Sequence, residues 1–206
     1  MDQKSKLKLL YLGIFLSLMS WIVEIVFAKY MIMSEGIWFI LNILLFLAAV
    51  CIMTAAYFNI RKKDKSFMTA FVFGIITIAA VITKLIGLMT KTEGLVSTAD
   101  LILGIGSSFA PYFAIDGIRK TIEQGHNERS LTIIESGKAV QWCFSVMNVL
   151  FLIAPVMAAL TWLFKLDLTT PTSVLNDFTQ CLSLIGYGVF THFVWECTFI
   201  DEDLNI

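Results

Sequence analysis

Six apolar runs alternate with short polar links along the whole chain: Leu9–Phe27, Ile37–Phe58, Phe67–Met89, Thr98–Ile118, Val140–Phe164 and Val174–Phe199. At ~1.5 Å of rise per residue, a helix of ~20 residues crosses a ~30 Å hydrocarbon core, and every run is about that long or longer. The pattern predicts an all-α, polytopic integral membrane protein: one six-helix domain over residues 1–206. The longest link, Arg119–Lys138, keeps helical spacing at both ends, through Ile115, Ile118 and Ile122 and again at Leu131, Ile133 and Ile134. A helical hairpin turning at Gly125-His126-Asn127 is expected there.

Composition agrees with the pattern. Hydrophobic residues make up 58% of the 206 and charged residues 15%, with a mean hydropathy of +0.81. A soluble domain carries ~25% charged residues. Six spans with short links leave no length for a separate soluble domain. The first run follows Lys4, Lys6 and Lys8 as a signal sequence would, but it continues without an A-x-A site and is expected to stay as a span.

Charge changes the picture by giving direction. Three Lys lie before the first run, four Lys or Arg lie in Arg61–Lys65, and four in the 119–138 link. The opposite links hold only Lys29, Lys91 and Lys165. The excess of basic residues marks the cytoplasmic side, so both termini are expected to be cytoplasmic in a multi-pass cell-membrane protein. The compact links suggest a bacterial inner membrane. The net charge of −1 gives nucleic-acid binding no support, and the bilayer is the expected surrounding. Cys51, Cys143, Cys181 and Cys197 lie in apolar runs without CxxC spacing and read as free thiols.

Ionisable and amide groups inside the runs are the candidate chemistry, because each is costly in hydrocarbon. Counted from the span ends, Glu24, Asn42, Lys84, Asp100 and Asp177 fall at similar depth in the outer third of five runs. Lys84 is the only ionisable group of its run. These five form a candidate solute- or ion-binding site, and the excess of acids suits a cationic or zwitterionic solute. Two of them have a simpler explanation: Ser97-x-x-Asp100 resembles a capping box, and Asp177 follows Ser173 closely, so both acids read as helix-start residues.

Near the inner face, His192 and Glu196 stand at i and i+4 on one helix face, a spacing that suits a proton-linked pair. A metal would need a third ligand from Asp116, Cys197 or Cys143, none diagnostically spaced, so no metal and no cofactor is expected. Bis-histidine haem is excluded, because His126 lies in a link. Asp116 is expected to pair with Arg119 or Lys120, and Gln141 and Asn148 to hydrogen-bond between helices. Gly106, Ala110 and Ala114, and Gly104 with Ser108, give small-xxx-small packing faces. Pro111 has no N–H and leaves the Ser107 carbonyl without its helical donor, a candidate helix break beside that groove. Pro155 does the same to Phe151 in an apolar setting.

In size and topology the chain is similar to the six-helix substrate-binding subunits of energy-coupling-factor vitamin importers. It departs from them on the first helix, where bulky Leu9–Phe27 stands in place of an alanine-rich small-xxx-small face. The expected function is a small carrier or a solute-binding transporter subunit. The alternative is a non-catalytic regulator or assembly or immunity partner, docking a protein through the 119–138 hairpin. An intramembrane enzyme ranks third: the chain has no HExxH, no clustered Asp motif and no nucleophile with a positioned base.

Overall fold

Each apolar run forms a helix; the first four helices overrun the runs that predict them at both ends, and the fifth and sixth do so at the N-terminal end only. In the computed structural model α1 spans Gln3–Tyr30, α2 Glu35–Ile60, α3 Lys65–Thr90, α4 Glu93–Gln124, α5 Glu128–Phe164 and α6 Thr169–Phe199. Residues 3–30, 35–124, 128–164 and 169–199 are described. The expected break at Gly125-His126-Asn127 and the acidic tail Asp201–Ile206 lie outside them. Five of the helices, α1 to α5, are long and apolar enough to cross a membrane. On α6, Asp177, Gln180, His192 and Glu196 dilute the apolar run, yet Val174, Phe178, Ile185 and Val189 still face outward.

The helices pack in chain order. α1 packs on α2, α2 on α3, α3 on α4, α4 on α5 and α5 on α6, and α6 returns to α1, so the six close into a ring. Because the links are short, neighbours run antiparallel. The ring therefore has a "Lys84 end", where α1, α3 and α5 finish, and an "Asp116 end", where they begin. Large apolar side chains face outward, Leu44, Ile75, Ile82, Leu101 and Val149 among them, as expected of a surface meeting hydrocarbon.

Small residues let the ring close tightly. A Cβ on Gly106 would overlap Thr77 Oγ1, which puts α4 directly against α3, with Ala110 and Ala114 buried along the same face. Gly186 likewise receives Met147 of α5, whereas Gly188 faces open space.

The Asp116 end is tied by polar contacts. Asp64 caps α3 by accepting from the Ser66 N–H at 2.7 Å. Ser66 Oγ donates to Asp116 Oδ2 at 2.7 Å, and Lys120 donates to Ser66 Oγ at 3.1 Å and also pairs with Asp116. Arg119 does not join Asp116. It pairs with Glu123 at 3.5 Å and donates to Gln141 of α5. Gln141 thus makes its expected interhelical bond, while the buried Oδ1 of Asn148 has no partner among the described residues.

The 119–138 link is the continuation of α4 and α5. Ile122, Ile133 and Ile134 of the link are buried, as is Ile118 just before it, so this apolar stripe packs within the bundle. Leu131, 65% exposed, is the exception.

Candidate functional site

Inside the ring, at the Lys84 end, is a cavity of about 330 Å³ to which all six helices contribute side chains. It exists because the inward residues there are short or polar where those below are large. On α1, Ser20, Trp21 and Glu24 share the inward face at helical spacing, and on α6 Thr179, Gln180 and Ser183 do the same. Asn42 of α2, Lys84 of α3, and Asp100, Gly104 and Ser107 of α4 complete the polar wall. Phe39, Phe46 and Phe151 supply the apolar part.

Four of the five residues expected at this level, Glu24, Asn42, Lys84 and Asp100, line this cavity. Asp177 does not: it is exposed on the outside of α6. Nor are Asp100 and Asp177 helix-start residues. α4 begins at Glu93 and α6 at Thr169, which places both acids about two turns inside their helices. α3 ends with Lys91 in the left-handed conformation (φ 54°), and Thr92 alone separates it from α4. The tight turn lets α4 start a full turn before Thr98. The Ser97-x-x-Asp100 spacing is therefore not a capping box, and Asp100 has a different task.

That task is to hold Lys84. The Lys84 ammonium lies 2.7 Å from Asp100 Oδ1, with the lysine side chain 18% exposed and the aspartate 47%. The same ammonium sits 5.5 Å from the Phe39 ring centroid. Asn42 Oδ1 accepts from Ser20 Oγ at 2.8 Å, joining α1 to α2. Glu24 differs from its neighbours: no described side chain hydrogen-bonds or ion-pairs with it. Trp21, packed edge-on against Phe46, has no acceptor for its buried Nε1–H among the described residues.

Below the cavity the ring is filled. Tyr187, Phe144 and Phe190 form an edge-to-face aromatic cluster, and Tyr57 is buried nearby. α4 passes through Pro111 without a break, as one helix. The Ser107 carbonyl freed by Pro111 does not open into a groove: the Tyr187 hydroxyl donates to it at 2.8 Å. The expected helix break is thus a hydrogen-bonded seam between α4 and α6 on the cavity floor.

Above, a more open cleft of about 810 Å³ lies beside the α3–α4 turn, lined by Lys91, Glu93 and Ser97. Asp100 and Phe151 border both spaces, so the Lys84–Asp100 pair stands between the cleft and the cavity.

His192 and Glu196 face away from all of this. His192 Nδ1 is 3.6 Å from Glu196 Oε1, and the histidine side chain is 69% exposed on the outer surface of α6 near the Asp116 end. Among the described residues no three His, Cys, Asp or Glu side chains gather as a metal site would require.

Several cavity residues escaped the sequence reading, Ser20, Trp21, Thr179, Gln180 and Ser183 among them, as did Tyr187 beneath the floor. Their signal was a helical stripe of hydroxyl and amide groups in otherwise apolar helices: Ser17, Ser20 and Glu24 on α1, and Thr179, Ser183 and Tyr187 on α6. Comparison with known proteins finds no match, whether among family models, curated proteins or solved structures.

Proposed function

We propose that the protein is a small membrane carrier, or the solute-binding membrane subunit of one, and that a small cationic or zwitterionic organic solute occupies the cavity at the Lys84 end. The observation that carries this reading is the cavity itself: about 330 Å³ inside a ring of apolar helices, with Glu24, Lys84 and Asp100 on its wall. Binding pockets for small molecules run from ~300 to ~1,000 Å³ and combine an apolar wall with a few placed polar groups. A helix bundle that needed only stability would fill this volume with side chains, as it does one layer below with Tyr187, Phe144 and Phe190. Charged groups kept in hydrocarbon at a cavity mark a solute path by default.

The proposed placement has all six helices in the cell membrane, both termini in the cytoplasm and the Lys84 end outward. The segregation of Lys and Arg supports it. The outward Val174, Phe178, Ile185 and Val189 support α6 as the sixth span.

The test is a thermal-stability screen of the detergent-purified protein against inorganic ions, amino acids, vitamins and polyamines. A ligand that binds only the folded state stabilises it by about 2.7 kcal/mol at 100 times its Kd. The expected result is stabilisation of the wild type by an organic solute and an altered size of that effect in Lys84→Met, whose side chain lines the cavity. Stabilisation by none of these classes would overturn the proposal.

A further inference from the structure

We infer that the cavity selects a monovalent organic ammonium ion held by Glu24, and that a proton on Glu24 is its competitor. The inference deepens the solute-binding reading and rests on it.

The charges on the wall decide between a cation and a zwitterion. Lys84 is committed to Asp100 at 2.7 Å, which leaves Glu24 as the cavity carboxylate with no described hydrogen-bond or ion-pair partner. Lys84 of α3 and Asp100 of α4 are the ionisable groups that face it. α2, α5 and α6 present Asn42, Phe151, Thr179, Gln180 and Ser183, none of which titrates. Formally the wall carries one net negative charge. In a surrounding of low dielectric that charge must be neutralised, and two agents can do it: a bound monocation or a proton. A zwitterion would bring a carboxylate as well, and no uncommitted cation on the wall is there to receive it. An anion would meet two carboxylates.

The apolar wall suits the same ligand. Trp21 shares the inward face of α1 with Glu24, one turn away, and Phe39 and Phe46 lie across from it on α2. An ammonium group set against a carboxylate and aromatic faces is held by charge and by the ring quadrupole together. That such a charge reaches a ring here is shown by Lys84, whose ammonium is 5.5 Å from the Phe39 centroid. The unpartnered Trp21 Nε1–H offers a donor for a hydroxyl or ether oxygen on the ligand.

Because one carboxylate serves both, solute and proton exclude each other. Ammonium binding releases the Glu24 proton to water, and protonation of Glu24 releases the ammonium. A carrier built this way exchanges one for the other.

The experiment uses four compounds that share a phenyl ring and differ in charge: phenethylammonium, phenylalanine, phenylacetate and 2-phenylethanol. Binding to the full-length protein in detergent is followed by tryptophan fluorescence and melting temperature at pH 5.5 and 8, beside the broad screen. The expected result is tightest binding of phenethylammonium, and tighter at pH 8 than at pH 5.5. Glu24→Gln should lose at least about tenfold in affinity together with the pH dependence, while Glu24→Asp keeps the charge preference. Equal or tighter binding of phenylalanine, phenylacetate or 2-phenylethanol overturns the inference and leaves the cavity reading standing, as does unchanged affinity in Glu24→Gln. Equal affinity at the two pH values overturns the proton competition. If none of the four binds, the charge of any solute found in the broad screen decides in the same way. An empty screen overturns both readings.

Discussion

Tyr187 of α6 donates its hydroxyl hydrogen bond to the carbonyl of Ser107 of α4 at 2.8 Å, across the inside of the ring. Pro111 deprives that oxygen of its helical donor, so the tyrosine repairs what the proline removes. Tyr187→Phe should destabilise the protein by about 1–3 kcal/mol, because it leaves a buried acceptor unsatisfied. In a Pro111→Ala background the restored N–H at position 111 can bond Ser107, and the same change should cost much less. Thermal or denaturant unfolding of the four proteins measures the coupling, which for a shared partner is about 0.5–3 kcal/mol. Equal losses in both backgrounds would show that Tyr187 matters through packing alone.

Lys84 and Asp100 should behave unequally when removed. Lys84→Met leaves Asp100, already half exposed beside the open cleft, able to find water. Asp100→Asn leaves Lys84, 18% exposed, charged and next to Phe39. Loss of one partner costs about 3–5 kcal/mol for a fully buried pair and about 0–1 kcal/mol for an exposed one. The expected loss is therefore about 1–3 kcal/mol for Asp100→Asn and less for Lys84→Met, read as two melting curves. The reverse order would mean that Lys84 reaches water more easily than Asp100.

The cap on α3 gives a pH signature. Burial alone would raise the Asp64 carboxyl, but hydrogen bonds from Ser66 and the nearby Lys120 ammonium outweigh it and hold it below its ordinary value of 3.8. A carboxyl lowered by folding stabilises fully above the ordinary value, and that stabilisation is lost as pH falls through the lower, folded value. At pH 7, Asp64→Ala should cost about 0.5–2 kcal/mol, as loss of an N-cap does. Asp64→Asn keeps a capping oxygen but no charge. Wild type should exceed it in stability at neutral pH and converge with it below pH 3.8. A difference that persists unchanged in acid would remove the charge from the account.

The sequence pattern determines the helices because an apolar run of such length admits few other forms: every backbone polar group must be satisfied within it. Depth was legible for the same reason. Glu24, Asn42, Lys84 and Asp100 reach one cavity because counting residues from span ends measures height directly, at ~1.5 Å each. Rotation about the helix axis was harder to read. Asp177 has the right height but points outward, and His192 with Glu196 lies on the outer surface, since polar identity alone does not say which way a face turns. Helix starts are harder to read: a left-handed Lys91 makes the α3–α4 turn so tight that α4 begins at Glu93, before the apolar run at Thr98, and this puts Asp100 in the wall and not in a cap. The Ser107–Tyr187 bond depends on a separation of 80 residues, and no local spacing encodes it.

The placement of the Lys84 end outward predicts a labelling pattern. With Cys51, Cys143, Cys181 and Cys197 replaced by alanine, a single cysteine is introduced at exposed Lys91, in the α3–α4 turn, or at exposed Lys62, before α3. The two positions lie at opposite ends of the 26-residue α3, about 39 Å apart along a helix axis at ~1.5 Å per residue, more than the ~30 Å hydrocarbon core. A membrane-impermeant maleimide added to intact cells without an outer membrane barrier should modify Lys91→Cys at once, and Lys62→Cys only after permeabilisation. The opposite pattern would turn the cavity mouth to the cytoplasm, against the segregation of Lys and Arg. Solute would then reach Glu24 from inside, and the proton released on binding would appear there too. Prompt labelling of both positions in intact cells would mean that α3 does not cross the membrane.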